Sequence, residues 1–324
     1  MEKKPSETFE VLSADVQVSF SKLLVDFRRL YLTEALREAV QVVSLADLDS
    51  QLMTYAPPIS LRQLAAFGLR GELVFPTPLI LQKSPRLLAY YRLLFGISQK
   101  EFYGKGRFGG FKRMEERGEV ISTTVAKLPA LCVSLCQTAA QLVEGLGELS
   151  ASTLHDLQIL TLGSQFRGSR NTKIGDEASI EVLDLIKEVV GPMIKKQSSK
   201  EFEFENAAGR TVLVEFASDP DVRVTERHGK TTRLILSIEI KGGNDFSNIH
   251  NRLGEAEKSH LKAKALGCSE LWTIIRVPLP IEAARLRSPT TTRFFNLNQL
   301  LNRKSKEYLE FHDALAMHLG IRLR

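Results

Sequence analysis

The sequence predicts an α/β fold: a mixed central sheet flanked by helices over residues 163–324, preceded by a mostly α-helical subdomain over residues 1–162. Three observations predict it. Residues 201–241 alternate apolar and polar side chains with the period of strands. The run Leu271-Trp272-Thr273-Ile274-Ile275-Arg276-Val277 is almost wholly apolar, as in a parallel strand buried on both faces. Between them, Asn248–Leu266 has the period of a helix, so the order is strand, returning strand, helix, strand.

Taken in order, Phe20, Leu23, Leu24, Phe27 and Leu30 recur at helical spacing, and Pro57-Pro58 interrupts that pattern. Ser60 is placed to cap a helix carrying Leu61, Leu64 and Phe67. Phe75-Pro76-Thr77-Pro78 is a stiff connection, and helices follow after Pro85 and over 120–162. A loop is expected over Gly163–Lys173, then a helix over 177–190 opened by Gly175-Asp176 and ended by Gly191-Pro192. Val212, Val214 and Phe216 mark a strand. The chain turns at Ser218–Asp221, resumes at Val222, turns again at Arg227-His228-Gly229-Lys230 and returns antiparallel over 234–241. Gly267 stops the next helix, and a helix over Gln299–Leu319 ends the chain.

The chemistry-bearing stretch is 234–241. Leu234, Leu236, Ile238 and Ile240 fall on one face, and Ile235, Ser237, Glu239 and Lys241 on the other. An acid and a lysine thus emerge together from an apolar strand, which is costly unless they are paired or hold a metal. The hairpin can bring a second acid beside Glu239. Asp221, directly after Pro220, is favoured over Asp219. Two carboxylates can hold Mg²⁺, and a lysine beside them can steer or deprotonate a water for attack on phosphate. Asp221, Glu239 and Lys241 are therefore the candidate catalytic set. Asp221 and Glu239 are candidate metal ligands, joined by a glutamate from the 177–190 helix, Glu177 or Glu181.

A net charge of +6 suits a polyanionic partner without requiring one. Candidate DNA contacts are Lys105 and Arg107 in the glycine-rich, basic, aromatic stretch 103–113, and Arg167, Arg170, Asn171 and Lys173 in the 163–173 loop. Arg252, Glu255, Lys258 and Lys262 along the 248–266 helix complete the set. Each of these stretches reads equally as a solvated loop or a paired helix surface. The 103–113 stretch is not a P-loop, because no Gly-Lys-Ser/Thr follows at the required spacing. Cys132 and Cys136 sit four apart in an apolar helical segment, and three cysteines in all fit a reducing, cytoplasmic setting. The start Met1-Glu2-Lys3-Lys4-Pro5 is charged and lacks an apolar signal region, so no targeting segment is expected, and no apolar run reaches the length of a membrane span.

Pro220-Asp221 followed by Glu239-Ile240-Lys241 matches the PD-(D/E)xK nuclease pattern, which alone is short. The longer runs Gly168–Glu177 and Glu239–His260 resemble the XcyI-type family of type II restriction endonucleases. The resemblance implies a PD-(D/E)xK-type core and Mg²⁺-dependent double-strand cleavage of a short GC-rich palindrome of the CCCGGG kind. It also implies a cognate DNA methyltransferase that forms no stable complex with the nuclease. By the motif, Asp221 and Glu239 would hold metal and Lys241 would assist the attacking water. A palindrome is met most simply by a two-fold homodimer. Two other readings stay open: a repair or recombination nuclease that recognises DNA structure, and a non-catalytic DNA-binding protein.

Overall fold

The computed structural model describes residues 13–104, 106, 108–243 and 246–322, with Ser247 given by its backbone alone. The chain divides into two compact units, residues 1–168 and 169–324.

The first unit is helical. It carries α1 (Asp15–Tyr31), α2 (Thr33–Gln41), α3 (Leu45–Tyr55), α4 (Pro58–Ala66), α5 (Pro78–Lys83) and α6 (Leu87–Leu94). These are followed by α7 (Gln99–Phe102), α8 (Lys112–Arg117), α9 (Ser122–Val125), α10 (Leu128–Gly145) and the first half of α11 (Ala151–Val190). The helix expected to start at Ser60 starts at Pro58 instead, because proline at the first helical position has no N–H to lose; Ser60 is buried in the first turn. Helix α6 is buried on every side and runs through the middle of the unit's core.

One residue of α6 is an arginine. Arg92 makes a two-pronged bond to Glu115, 2.9 Å from Nε and 2.7 Å from a terminal nitrogen, with both residues at most 3% exposed. Glu115 also accepts from Gln99 Nε2 at 2.6 Å and Tyr103 Oη at 2.7 Å. Burial works against the Glu115 charge, but the Arg92 bonds outweigh it and hold the carboxyl below its ordinary range. Gln99 precedes the glycine-rich stretch, Tyr103 opens it and Glu115 follows it, so this network joins the residues at its two ends.

The largest departure from the sequence reading is α11. It is one 40-residue helix, so the loop expected over 163–173 and the helix start expected at 177 are both corrected. Buried Leu154, Gln158, Leu162 and Phe166 recur every four residues up to the glycine-rich, cationic stretch, half-buried Arg170 and Ile174 continue that spacing through it, and buried Ala178, Val182 and Leu185 follow. That stripe outweighs the roughly 1 kcal/mol by which each of Gly163, Gly168 and Gly175 disfavours a helix relative to alanine.

The second unit contains, among the described residues, a mixed sheet of seven strands in the order β1 to β7. These are β1 (Ile194–Gln197), β2 (Glu201–Glu205), β3 (Thr211–Phe216), β4 (Val222–His228), β5 (Thr231–Lys241), β6 (Leu271–Ile275) and β7 (Arg293–Asn296). Strands β1 to β5 form an antiparallel meander; β5, β6 and β7 are parallel. Helix α12 (Ile249–Ala265) makes the crossover and packs on β5 and β6, while α13 (Ile281–Arg287) links β6 to β7. The single tail helix expected over Gln299–Leu319 is two, α14 (Leu297–Leu301) and α15 (Lys306–Leu319), the second capped by Ser305.

The alternation along β5 is broken by a bulge. Val224 pairs with Leu236 but Thr225 with Leu234, so Ile235 is the extra residue. Leu234 is thereby turned from the face assigned to it and packs with Ala263 of α12, while Ile235 joins the opposite core. Beyond the bulge the alternation holds. Leu236, Ile238 and Ile240 enter that opposite core; the other face carries Ser237, Glu239 and Lys241. Among the described residues no helix is long and apolar enough to cross a membrane.

The buried ion pair gives a direct test of the first unit. Glu115→Ala leaves Arg92 without its counter-ion, and the expected loss is about 3–5 kcal/mol, read as a fall in the urea midpoint. Gln99→Ala, which removes one neutral donor, should cost about 1–3 kcal/mol.

Candidate active site

Register brings the acid–acid–lysine set together. The first ladder pair of β4 and β5 is Val222 with Ile238, and Asp221 stands one residue before it. There its Oδ2 accepts the Ile240 N–H at 2.6 Å. Lys241 Nζ lies 2.5 Å from Glu239 Oε2 and 3.7 Å from Asp221 Oδ2. Glu239 is 3% exposed, and its Oε1 is buried with no hydrogen-bond partner. Burial first, and the neighbouring Asp221 charge second, push the Glu239 carboxyl above its ordinary range; Lys241 offsets this only in part. For Lys241, burial works against the charge, but Glu239 and Asp221 outweigh it and hold the group above the ordinary lysine value, as an ammonium. Asp219 is drawn elsewhere. It pairs with Lys262, which, followed by the Ser259 hydroxyl, holds its carboxyl below the usual range.

Helix α12 faces this set with Glu255, Ser259 and Lys262, spaced i, i+4 and i+7. Glu255 adds to the negative field that keeps Lys241 charged. The Ser259 hydroxyl favours the charged forms of both Asp219 and Glu239. The sequence reading grouped Glu255 and Lys262 with Arg252 and Lys258 as DNA contacts and passed over Ser259. The available signal was the helical spacing of these three polar residues opposite a strand with a buried acid. Lys258 is exposed.

Two glycines follow Lys241; at Gly242 the adjoining helix leaves no room for a side chain, and at Gly243 the movable Arg252 guanidinium takes the space one would occupy. A Cβ on Gly242 would lie 2.0 Å from Ala178 Cβ of α11, and one on Gly243 would lie 2.3 Å from an Arg252 guanidinium nitrogen. The Gly242 carbonyl accepts from Arg276 Nε at 3.0 Å, and Arg276 also pairs with Glu181. Glu181 is thus engaged by an arginine. Glu177 is exposed on α11 and lies 3.8 Å from Lys173. Among the described residues no group of three acidic, histidine or cysteine side chains is placed to hold a metal, so neither glutamate is gathered with Asp221 and Glu239. Arg167, Arg170 and Asn171 share a helical face at i, i+3 and i+4 instead of lying in a loop. Lys105 and Arg107 lie outside the described residues, as do Asn244 and Asp245 of the resembling run.

With this geometry in place, comparison with known proteins is informative. The XcyI restriction endonuclease family model matches residues 21–322. The chain is 45% identical over 303 residues to the type II restriction enzyme XcyI of Xanthomonas campestris pv. cyanopsidis, covering 91% of each chain. It is 43% identical over 302 residues to the type II restriction enzyme Cfr9I of Citrobacter freundii, covering 91% of this chain and 92% of that one.

Behind Glu239 runs a buried polar chain. Thr273, the β6 partner of Glu239, bonds His260 Nε2 of α12 at 2.8 Å and Thr291 at 3.0 Å; Thr291 bonds Ser288 at 2.8 Å, and Ser288 donates to Glu257 at 3.0 Å. Burial pushes the His260 imidazole down to about 4, so the folded protein holds it neutral. The stability tied to that neutrality is complete above the unfolded histidine value of about 6.5 and is lost as pH falls towards 4. Between those limits the native protein should lose about 3 kcal/mol that His260→Gln does not lose. Urea titrations at several pH values check this: the stability gap between the two proteins should shrink steadily as pH falls.

Proposed function

Because the chain belongs to the XcyI restriction endonuclease family, we propose that it is a type II restriction endonuclease whose PD-(D/E)xK core cuts both strands of a short GC-rich palindrome, CCCGGG, with Mg²⁺. The observation that carries the chemistry is the convergence of Asp221 and Glu239 on one ammonium in an otherwise apolar strand. The donor set fits the metal. Mg²⁺ is commonly held by one or two carboxylates, the rest of its sphere being water and substrate phosphate. The buried Glu239 Oε1 is an oxygen without a partner, and the place between the carboxylates already attracts a cation. Asp221 and Glu239 would hold the ion, which when bound supplies charge stabilisation at the attacked phosphate.

The remaining work falls to the chain. Asp221 is fixed by the Ile240 N–H, so its second oxygen keeps a set direction. Lys241 is held as an ammonium by its two neighbours, so it orients the water and faces the negative charge growing on phosphorus instead of taking the water's proton. Water attacks phosphorus in line and gives up its proton to solvent, the bond to the leaving oxygen breaks, and that oxygen leaves with a proton taken from solvent. The cations of α11 and α12, Arg167, Arg170, Lys173, Arg252 and Lys258, together with Asn171, hold and read the duplex; Lys105 and Arg107 add contacts from the glycine-rich stretch. A palindromic target is matched by a homodimer, and a DNA methyltransferase of the same specificity protects the host's own sites.

Incubation with plasmid DNA and Mg²⁺ should give discrete fragments, and chelation should stop cutting. Glu239→Ala should reduce cutting about 1,000-fold while DNA binding in a gel-shift assay persists. Random degradation by the native protein, or undiminished cutting by the variant, would defeat the proposal.

A further inference from the structure

A cleft of about 830 Å³ opens at the carboxyl ends of β6 and β7. Lys241, Ile275 and Asn296 stand opposite one another across β5, β6 and β7, and Ile275 and Asn296 line the cleft. At about 4.8 Å per strand it begins roughly 5 Å from Lys241 at Ile275 and extends to roughly 10 Å at Asn296, about one to three base steps along a DNA strand. The connection is also physical. Arg276 bonds the Gly242 carbonyl through its side chain, and its own carbonyl accepts from Asn296 Nδ2 at 3.2 Å and Asn298 Nδ2 at 3.5 Å. One residue therefore ties the cleft's amides to the backbone position next to Lys241.

The lining selects the occupant. The lining combines the apolar Leu279 and Ile281 with the amides Asn298 and Gln299. Two acids, Glu307 and Glu310, face a single cation, Lys306, which lies 3.6 Å from Glu310. The excess of negative charge repels phosphate, whereas apolar side chains together with amides suit the flat face and polar edge of a nucleobase. We propose that this cleft receives a base of the substrate DNA beside the phosphate held at Asp221, Glu239 and Lys241, and that Gln299 and Asn298 read its edge. The inference rests on the nuclease reading above and adds where specificity is decided. Through Arg276, a correctly seated base bears on the backbone that carries Lys241.

The test first maps the cut site of the native protein by sequencing the ends it makes in plasmid DNA. Cleavage rates are then measured on every single-base-pair change of that site for the native protein, Gln299→Ala, Asn298→Ala and Ile281→Trp. Both amides are exposed, and Ile281 is half-exposed at the mouth of the cleft, so all three changes leave the core untouched. The expected result is a 10- to 100-fold fall in discrimination at one base-pair position in Gln299→Ala or Asn298→Ala, the other positions keeping theirs, and at least a 10-fold slower cut by Ile281→Trp, which fills the cleft. Unchanged discrimination in both amide variants, or a loss spread evenly over all positions, overturns the inference while leaving the nuclease reading intact. A native protein that cuts no DNA overturns both.

Discussion

Glu239 carries a charge where the sheet offers almost no water, and the second unit is arranged around that charge. A buried carboxylate without a counter-ion costs several kcal/mol. Here Lys241, two residues along the same strand, offsets part of that cost, and Asp221, just before the neighbouring strand, adds a second carboxylate against the same ammonium. Removing either partner would leave a like-charged or unpaired group in the interior. The three residues are therefore one electrostatic unit, and the fold must hold two strands and a helix in strict register to keep it.

That register is built from ordinary parts. The bulge at Ile235 re-aims the first part of β5, so Leu234 packs under α12 while the later residues keep their alternation. The parallel pairing of β5 with β6 sets Thr273 beside Glu239, and the buried hydroxyl chain from Thr273 to Glu257 ties the back of the site to α12. The glycines at 242 and 243 let α11 and Arg252 close over the end of β5 without a clash. Each device is local, and together they leave the lysine little freedom.

Much of this was legible in the sequence because period and chemistry agreed. Alternation over 211–241 gave the hairpin, the apolar run at 271 gave the parallel strand, and an acid two residues before a lysine in a mostly apolar run marked the candidate site. The misreadings came where composition and period disagreed. In 163–173 the glycines and cations speak for a loop, and only the four-residue spacing of Leu162 and Phe166, half-buried Arg170 and Ile174, then Ala178 and Val182 shows that the helix continues. The strands at 194–197 and 293–296 are too short to show a period of their own. That Lys262 pairs with Asp219 and that Ser259 faces Glu239 depend on how α12 is rotated over the sheet, which helical spacing restricts but does not fix.

The central claim is that Asp221 and Glu239 share one metal-ion position beside Lys241. Equilibrium Mn²⁺ binding, followed by electron paramagnetic resonance in the presence of uncut DNA, tests it most directly. The account predicts a site on each native chain that is lost in the paired Asp221→Asn, Glu239→Gln variant and survives in Glu177→Gln. Equal Mn²⁺ binding by the native protein and the paired variant would contradict it.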